Sequence, residues 1–269
     1  MSTILDEIIA SKYVEVSTKK ELYPEKLLER SLFFSAPTVS LSSYLTRDDK
    51  VGIIAEIKRR SPSKGVINQH ISVEALSVGY MQAGASALSV LTDEKYFGGS
   101  LEDLKKARSF NYCPILRKDF IIDEYQIVEA RSAGADAILL IAAALSAERS
   151  AELAKFARSL DLEVLLEVHS AVEVASHCND YVAMIGVNNR NLHTFEVNTS
   201  LAEELIRELP SSICAVAESG ISDAETLLRL KKAGYRGFLI GEAFMRHARP
   251  ELACQRLVRE VEDSGANRV

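Results

Sequence analysis

After about residue 50, short apolar runs rich in Val, Ile, Leu and Ala recur along the chain, separated by longer amphipathic stretches with charged faces. That alternation predicts strands and helices taking turns. The strands fall at residues 51–58, 86–92, 113–119, 135–142, 162–169, 181–188, 213–219 and 237–242. Most lack an apolar–polar alternation, as parallel strands covered on both faces do. Between them, residues 73–84, 124–134 and 224–234 read as helices, each closing on an Ala-Gly pair that puts Gly84, Gly134 or Gly234 at a helix C-terminus. Eight βα units in this length match a (β/α)8 TIM barrel, an α/β fold; a doubly wound open sheet is the competing arrangement.

Residues 1–45 lie outside the repeat and form an N-terminal helical extension. The stretch LDEIIASKYVEVSTKKE reads as an amphipathic helix with Leu5, Ile8, Ile9 and Tyr13 near one face. That face needs a partner, and both a cap on the barrel mouth and an interface arm satisfy the need. No Gly/Ser/Pro-rich linker separates the extension, so a single barrel domain over residues 1–269 is expected, with the extension packed on it.

Composition narrows the functional classes. The chain is 47% hydrophobic and 26% charged, enough for a sizeable core, and its net charge is −6 with no long run of Lys and Arg. Nucleic-acid and membrane surfaces are therefore not expected. Four dispersed cysteines form no Cys-x-x-Cys, and five histidines, His169 and His177 among them, form no ligand pattern. No metal is expected, the cysteines should be reduced and mostly buried, and the histidines should lie on surfaces or loops. The N-terminus lacks the basic and apolar segments of a secretory leader. The longest apolar run, Ala137 to Leu145, is far short of the ~20 residues that span a bilayer. A cytoplasmic protein acting on a small molecule follows, as a monomer or weak homo-oligomer.

In a barrel of this kind the active site lies at the C-terminal ends of the strands, so the polar residues there carry the information. The run VGIIAEIK (51–58) ends with Glu56 and Lys58, which share a strand face with Ile54. An ion pair at a strand end and two groups lining a site are both open for them. Lys118 ends the third strand on the face of Leu116, and Glu167 ends the fifth on the face of Leu165. Asn188 and Arg190 follow Gly186 on the sixth; Glu218 follows Val216 on the seventh. Each alone could be structural. Together they bring opposite charges into one enclosed space, where each shifts the proton affinity of the others.

Anion binding has its own pattern. AESGIS (217–222) ends the seventh strand with Ser219 and Gly220, and LIGEAFM (239–245) ends the eighth with Gly241 and Glu242. Loops after the last two strands form the usual phosphate site of such barrels through backbone N–H groups. Glu242 would serve through its backbone, with its carboxylate turned away from the anion. The loop RRSPSKG after Lys58 is basic, flexible and hydroxyl-rich, placed to close on an anionic substrate through Ser61 with Arg59 or Lys64. Phe97 and Phe120 flank strand ends, where they serve either an aromatic substrate or the core.

The ordered segments IIAEIKRRSPSKG, SVLTDEKYFGGS, PILRKDFIIDEYQI, LLEVH, IGVNNRNL, VAESGI and LIGEAFM resemble the successive motifs of the indole-3-glycerol phosphate synthase family. The likeness covers nearly the whole chain, extension included, with no fused second enzyme expected after Val269. It implies ring closure of 1-(2-carboxyphenylamino)-1-deoxyribulose 5-phosphate to indole-3-glycerol phosphate with loss of CO2 and water, without cofactor or metal. By matching motifs, the resemblance makes Lys118 the general acid at the ketone oxygen and Glu167 the base partner in the dehydration. It has Lys58 bind the substrate carboxylate, Glu56 and Glu218 fix the lysines, and Asn188 and Arg190 orient polar substrate groups. Family members differ at the positions of Glu242 and Asn189, which leaves the backbone phosphate site intact. Another phosphate-binding barrel, such as a sugar-phosphate isomerase or epimerase, and a catalytically silent binding subunit are the competing readings.

Overall fold

A computed structural model describes residues 3–191 and 194–266; Leu192, the last residue of the GVNNRNL motif, lies outside the described residues. The strands in chain order are β1 (Ile53–Ile57), β2 (Arg60–Ser61), β3 (Gly65–Val66), β4 (Ala87–Leu91), β5 (Ile115–Lys118), β6 (Ala137–Ile141), β7 (Glu163–Val168), β8 (Met184–Asn188), β9 (Cys214–Glu218) and β10 (Gly237–Ile240). All but β2 and β3 are parallel and close into an eight-stranded barrel, with β1 hydrogen-bonded to both β4 and β10. Closure rules out the open sheet. The small β2–β3 pair is an antiparallel hairpin in the loop after β1.

Helices cover the outside and begin where the sequence supplies a cap. Ser72, Asp123, Ser146, Ser170 and Asp223 each accept a backbone N–H of the helix they start. The predicted helices are present at Val73–Gln82, Glu124–Ala133 and Ala224–Ala233. Apolar outward positions of the strands, such as Ile53, Ile115, Leu166 and Phe238, are buried against these helices in the larger core. Inward positions make a second core from Ile54, Leu116, Leu139, Leu165, Met184 and Val216. Each such Ile or Leu contributes about 1.5–3 kcal/mol by leaving water.

The extension does two jobs at opposite ends. A short helix, Leu41–Leu45, closes the N-terminal end of the barrel, with Leu41 and Leu45 buried in the inner core. Helix α1 (Ile4–Leu22) instead lies at the C-terminal mouth, where Ile4, Leu5 and Ile8 line the cavity. Its inward stripe is Leu5, Ile8, Lys12 and Val16, whereas Tyr13 is exposed and Ile9 only partly buried. The expected apolar face is thus rotated, because a lysine occupies one of its central positions. Lys12 is 1% exposed and pairs with Asp93, Asp119 and Glu15 at 2.8–2.9 Å. Burial opposes its charge, but the carboxylates outweigh burial and raise its pKa.

Candidate active site

Strand order and side-chain period place four ionisable residues in one layer. Counting around the barrel, Glu56, Lys118, Glu167 and Glu218 come from alternate strands β1, β5, β7 and β9. Inner layers of such barrels are built from four alternate-strand side chains, usually branched and apolar. Here the layer is charged. The strands between supply room: a Cβ on Gly186 of β8 would collide with the Glu218 carboxylate, and one on Gly241, just after β10, with that of Glu56. Gly241 therefore has a packing reason beyond the phosphate role assigned to it from sequence.

Within this layer Lys118 Nζ lies 3.0 Å from Glu167 Oε2 and 3.4 Å from Glu218 Oε2. Asn188 Nδ2 donates to Glu167 Oε1 at 3.0 Å, from the position paired with Glu218 across β8 and β9. Lys58 Nζ sits 2.5 Å from Glu56 Oε1. Burial disfavours the Lys118 ammonium, but Glu167, Glu218 and Glu56 more than offset it, so its pKa is raised. Burial likewise works against the Glu167 carboxylate, and Lys118 and His169 overcome it, lowering its pKa. For Glu218 burial wins over Lys118, and with Glu167 and Glu56 adding like charge its pKa is pushed up to about 8. Glu218 Oε1 is buried without a hydrogen-bond partner. One ammonium between two carboxylates of unlike proton affinity is an arrangement suited to acid–base chemistry.

Above the layer opens a cavity of about 430 Å³, the size of a small-molecule site. Lys58, Ser61, Phe97, Phe120, Asn188, Arg190, Ser219, Gly220, Gly241 and Glu242 all border it together with the charged layer, so of the residues proposed from sequence only Arg59 lies outside this space. Phe97 and Phe120 meet with ring centroids 5.9 Å apart. Ser219 and Gly220 turn the chain with positive φ of 66° and 77°, and the Ser219 carbonyl accepts from Asn189 Nδ2 at 3.1 Å. Glu242 starts a short helix, Glu242–Met245. Its carboxylate does not turn away from the cavity as expected: it lies 3.1 Å from Arg190 Nη2 and 3.6 Å from Lys64 Nζ, two cations that offset its charge.

The loop after β1 also departs from expectation. Rather than a free basic flap, it is a hairpin pinned by its arginines. Arg59 pairs with Asp103 and donates to the Gly98 carbonyl at 3.1 Å, which takes it out of the cavity lining. Arg60 donates to the Glu94 carbonyl at 2.7 Å and also to that of Lys95, the first two residues of a short helix, Glu94–Phe97. Lys64 alone of these cations borders the cavity.

Three features escaped the sequence. Of the two partners open to α1, the barrel mouth is the one it takes, but that Ile4, Leu5 and Ile8 would form cavity wall was not read from the chain. Arg117 and Asp119, flanking Lys118, are buried in a network with Thr92, Glu129 and the Gln126 carbonyl. His169 lies in the loop after β7, one of the two places expected for it, but its Nε2 is 3.8 Å from Glu167 Oε1, a neighbourhood that went unread although its place two residues after Glu167 was the available signal. His177, by contrast, bonds the Leu145 carbonyl at 3.1 Å. All four cysteines are free, with Cys113 and Cys254 buried and Cys178 and Cys214 partly so. Among the described residues no group of three or more His, Cys, Asp or Glu could hold a metal ion, and no helix is long and apolar enough to cross a membrane.

Comparison with known proteins agrees with this geometry. The family model for indole-3-glycerol phosphate synthase matches residues 5–257. A protein of that name from Bacteroides thetaiotaomicron is 49% identical over 262 residues, 97% of this chain and 100% of the relative. Another from Aliarcobacter butzleri is 44% identical, covering 90% and 94% of the two chains. Among solved structures, a mutant tryptophan synthase α-subunit from Pyrococcus furiosus superposes with a TM-score of 0.60 at 14% identity, over 80% of this chain and 99% of that one, a likeness of fold.

Proposed function

The chain belongs to the indole-3-glycerol phosphate synthase family, and from that premise we propose how its charged layer carries out the ring closure. The enzyme converts 1-(2-carboxyphenylamino)-1-deoxyribulose 5-phosphate to indole-3-glycerol phosphate, releasing CO2 and water. One observation carries the assignment of roles: Lys118 is held between two carboxylates in a cavity that Lys58, Arg190, Gly220 and Gly241 also line.

The substrate is anionic at both ends. Its carboxylate meets Lys58, and its phosphate meets the backbone at Gly220, Gly241 and Glu242, so the reacting carbons are suspended over Lys118. Phe97 and Phe120 flank the anthranilate ring, while Ser61, Arg190 and Ser219 hold polar groups. Lys118, kept protonated by its carboxylates, donates toward the ketone oxygen as the aromatic carbon attacks. Loss of CO2 restores aromaticity. Glu167, oriented by Asn188 Nδ2 and Lys118, then removes the methylene proton as the hydroxyl leaves with a second proton from Lys118, which is reprotonated between the two steps. Glu56 and Glu218 fix Lys58 and Lys118 in place. Side chains supply every proton transfer, so no metal or organic cofactor enters the scheme. We place the protein in the cytoplasm as a monomer or weak homo-oligomer.

The test is an assay of the purified protein with the carboxyphenylamino-deoxyribulose phosphate in the presence of a chelator, following indole product by fluorescence and mass. Product formed at undiminished rate supports metal-free acid–base turnover. Binding without conversion would favour a silent barrel; no binding would remove the assignment of the anion sites.

A further inference from the structure

The ring closure consumes a proton. The substrate carboxylate departs as neutral CO2, the ketone oxygen gains two protons to leave as water, and the methylene carbon gives up one. Each turnover therefore takes up one net proton, which must reach a layer in which Lys118 is 14% exposed and Glu167 and Glu218 are 2–3% exposed.

A second set of groups reaches Glu167 through His169. His169 is not among the residues that line the cavity; its Nε2 lies 3.8 Å from Glu167 Oε1 and its Nδ1 3.9 Å from Glu173 Oε2. Both ring nitrogens are buried without a hydrogen-bond partner. A buried imidazole left unsatisfied costs free energy and calls for an explanation. Glu173 belongs to the helix Ala171–His177, is 23% exposed, and is tethered by the His169 backbone N–H, which donates to it at 2.5 Å. Facing the imidazole are thus Glu167 from β7 and Glu173 from that helix, with Lys118 of β5 and Glu218 of β9 behind Glu167. Both gaps exceed hydrogen-bond reach by less than about 1.2 Å, a distance closed by a small ring rotation or one bridging water.

We propose that His169, with Glu173, is the route by which the consumed proton passes from solvent to the Lys118–Glu167 pair. The imidazole takes a proton at Nδ1 from Glu173 or water and gives the one on Nε2 to Glu167 Oε1. Glu167 then releases a proton from Oε2 to the Lys118 amine left after donation to the ketone oxygen. The two carboxylate oxygens face the two partners this relay needs. His169 is a positioning residue, acting on the reaction through Glu167, and the inference rests on the acid–base roles proposed for Lys118 and Glu167.

The test compares His169→Asn, which keeps polarity but cannot relay a proton, with Glu167→Gln. For His169→Asn, kcat should fall about tenfold, most steeply at alkaline pH where solvent protons are scarce, with KM unchanged and a larger solvent deuterium isotope effect. Added imidazole should restore much of the rate. An unchanged kcat and pH profile, or a loss that imidazole does not restore, overturns the relay. Glu167→Gln separates the two ideas: near-normal turnover there removes Glu167 itself, whereas lost turnover there with an unaltered His169→Asn removes only the relay.

Discussion

The two ends of the barrel both hold carboxylates, yet treat them differently. At the N-terminal end Glu163 accepts from the Ser42 backbone N–H at 2.9 Å and from the Ser40 and Ser42 hydroxyls at 2.8 and 2.7 Å. Asp136 accepts from the Val39 and Ile115 backbone N–H groups and from Arg108. Each oxygen there has a donor, as a structural carboxylate requires. At the C-terminal end one Glu218 oxygen and both His169 nitrogens have none, and three carboxylates share two lysines. Polar groups left unsatisfied in an otherwise well-packed fold mark where stability has been given up for chemistry.

Breaking the charged end should cost turnover more than stability. Lys118→Ala is expected to lower kcat by about a thousandfold, while Glu167 and Glu218, without their cation, relieve their repulsion by holding a proton. Single-turnover kinetics and a denaturation curve on the same sample check it; a kcat within a few fold of the parent would remove Lys118 as the acid.

A pair of alanine substitutions sharpens the contrast. Gly186→Ala pushes its Cβ into the Glu218 carboxylate, a side-chain end that can move. Displacing Glu218 by about 1 Å should reduce kcat by about a hundredfold with little change in the unfolding midpoint. Gly52→Ala at the other end meets the Arg236 backbone carbonyl and needs a φ of 94°. Backbone cannot step aside cheaply, so about 1–3 kcal/mol of stability should be lost with kcat retained. Equal effects on activity and stability in both variants would erase the distinction between the ends.

The charged half of this contrast was legible in the chain for one reason: the strand period of two assigns Glu56, Lys118, Glu167 and Glu218 to one inner face without knowledge of tertiary contacts. The helix caps and the Ala-Gly endings are equally local. What escaped depends on distant segments meeting. Lys12 looks like a solvent-facing lysine until α1 docks and presents it to Asp93 and Asp119. Arg59 reads as a substrate contact until Asp103 from another helix claims it. The Glu163 clasp was hidden because its serines lie more than a hundred residues away.

The pH dependence of stability should carry the mark of Glu218. Its folded pKa, about 8, lies above the ordinary carboxylate value of 4.5, so between those values the folded state binds more protons than the unfolded chain. Stability from this group is full below about pH 4.5 and is lost as pH rises through about 8. Glu167 runs the other way, its lowered pKa contributing stability that disappears only as pH falls below the ordinary carboxylate range. Urea midpoints measured from pH 5 to 9 should decline less in Glu218→Gln than in the parent. Parallel curves would show that Glu218 is ionised throughout.

The smallest effect belongs at the satisfied end. Ser42→Ala deletes one hydroxyl from the Glu163 clasp but leaves the Ser42 backbone N–H and the Ser40 hydroxyl in place. With two donors remaining, the carboxylate is not orphaned, and the loss should be about 1 kcal/mol. Because the clasp lies at the opposite end from Lys118, kcat and KM should be unchanged, and a shifted urea midpoint with parental kinetics is the expected result. A fall in kcat from so mild a change would mean that the plug formed by Leu41 and Leu45 transmits strain through the inner core to the charged layer, and the two ends would then have to be treated as one coupled unit.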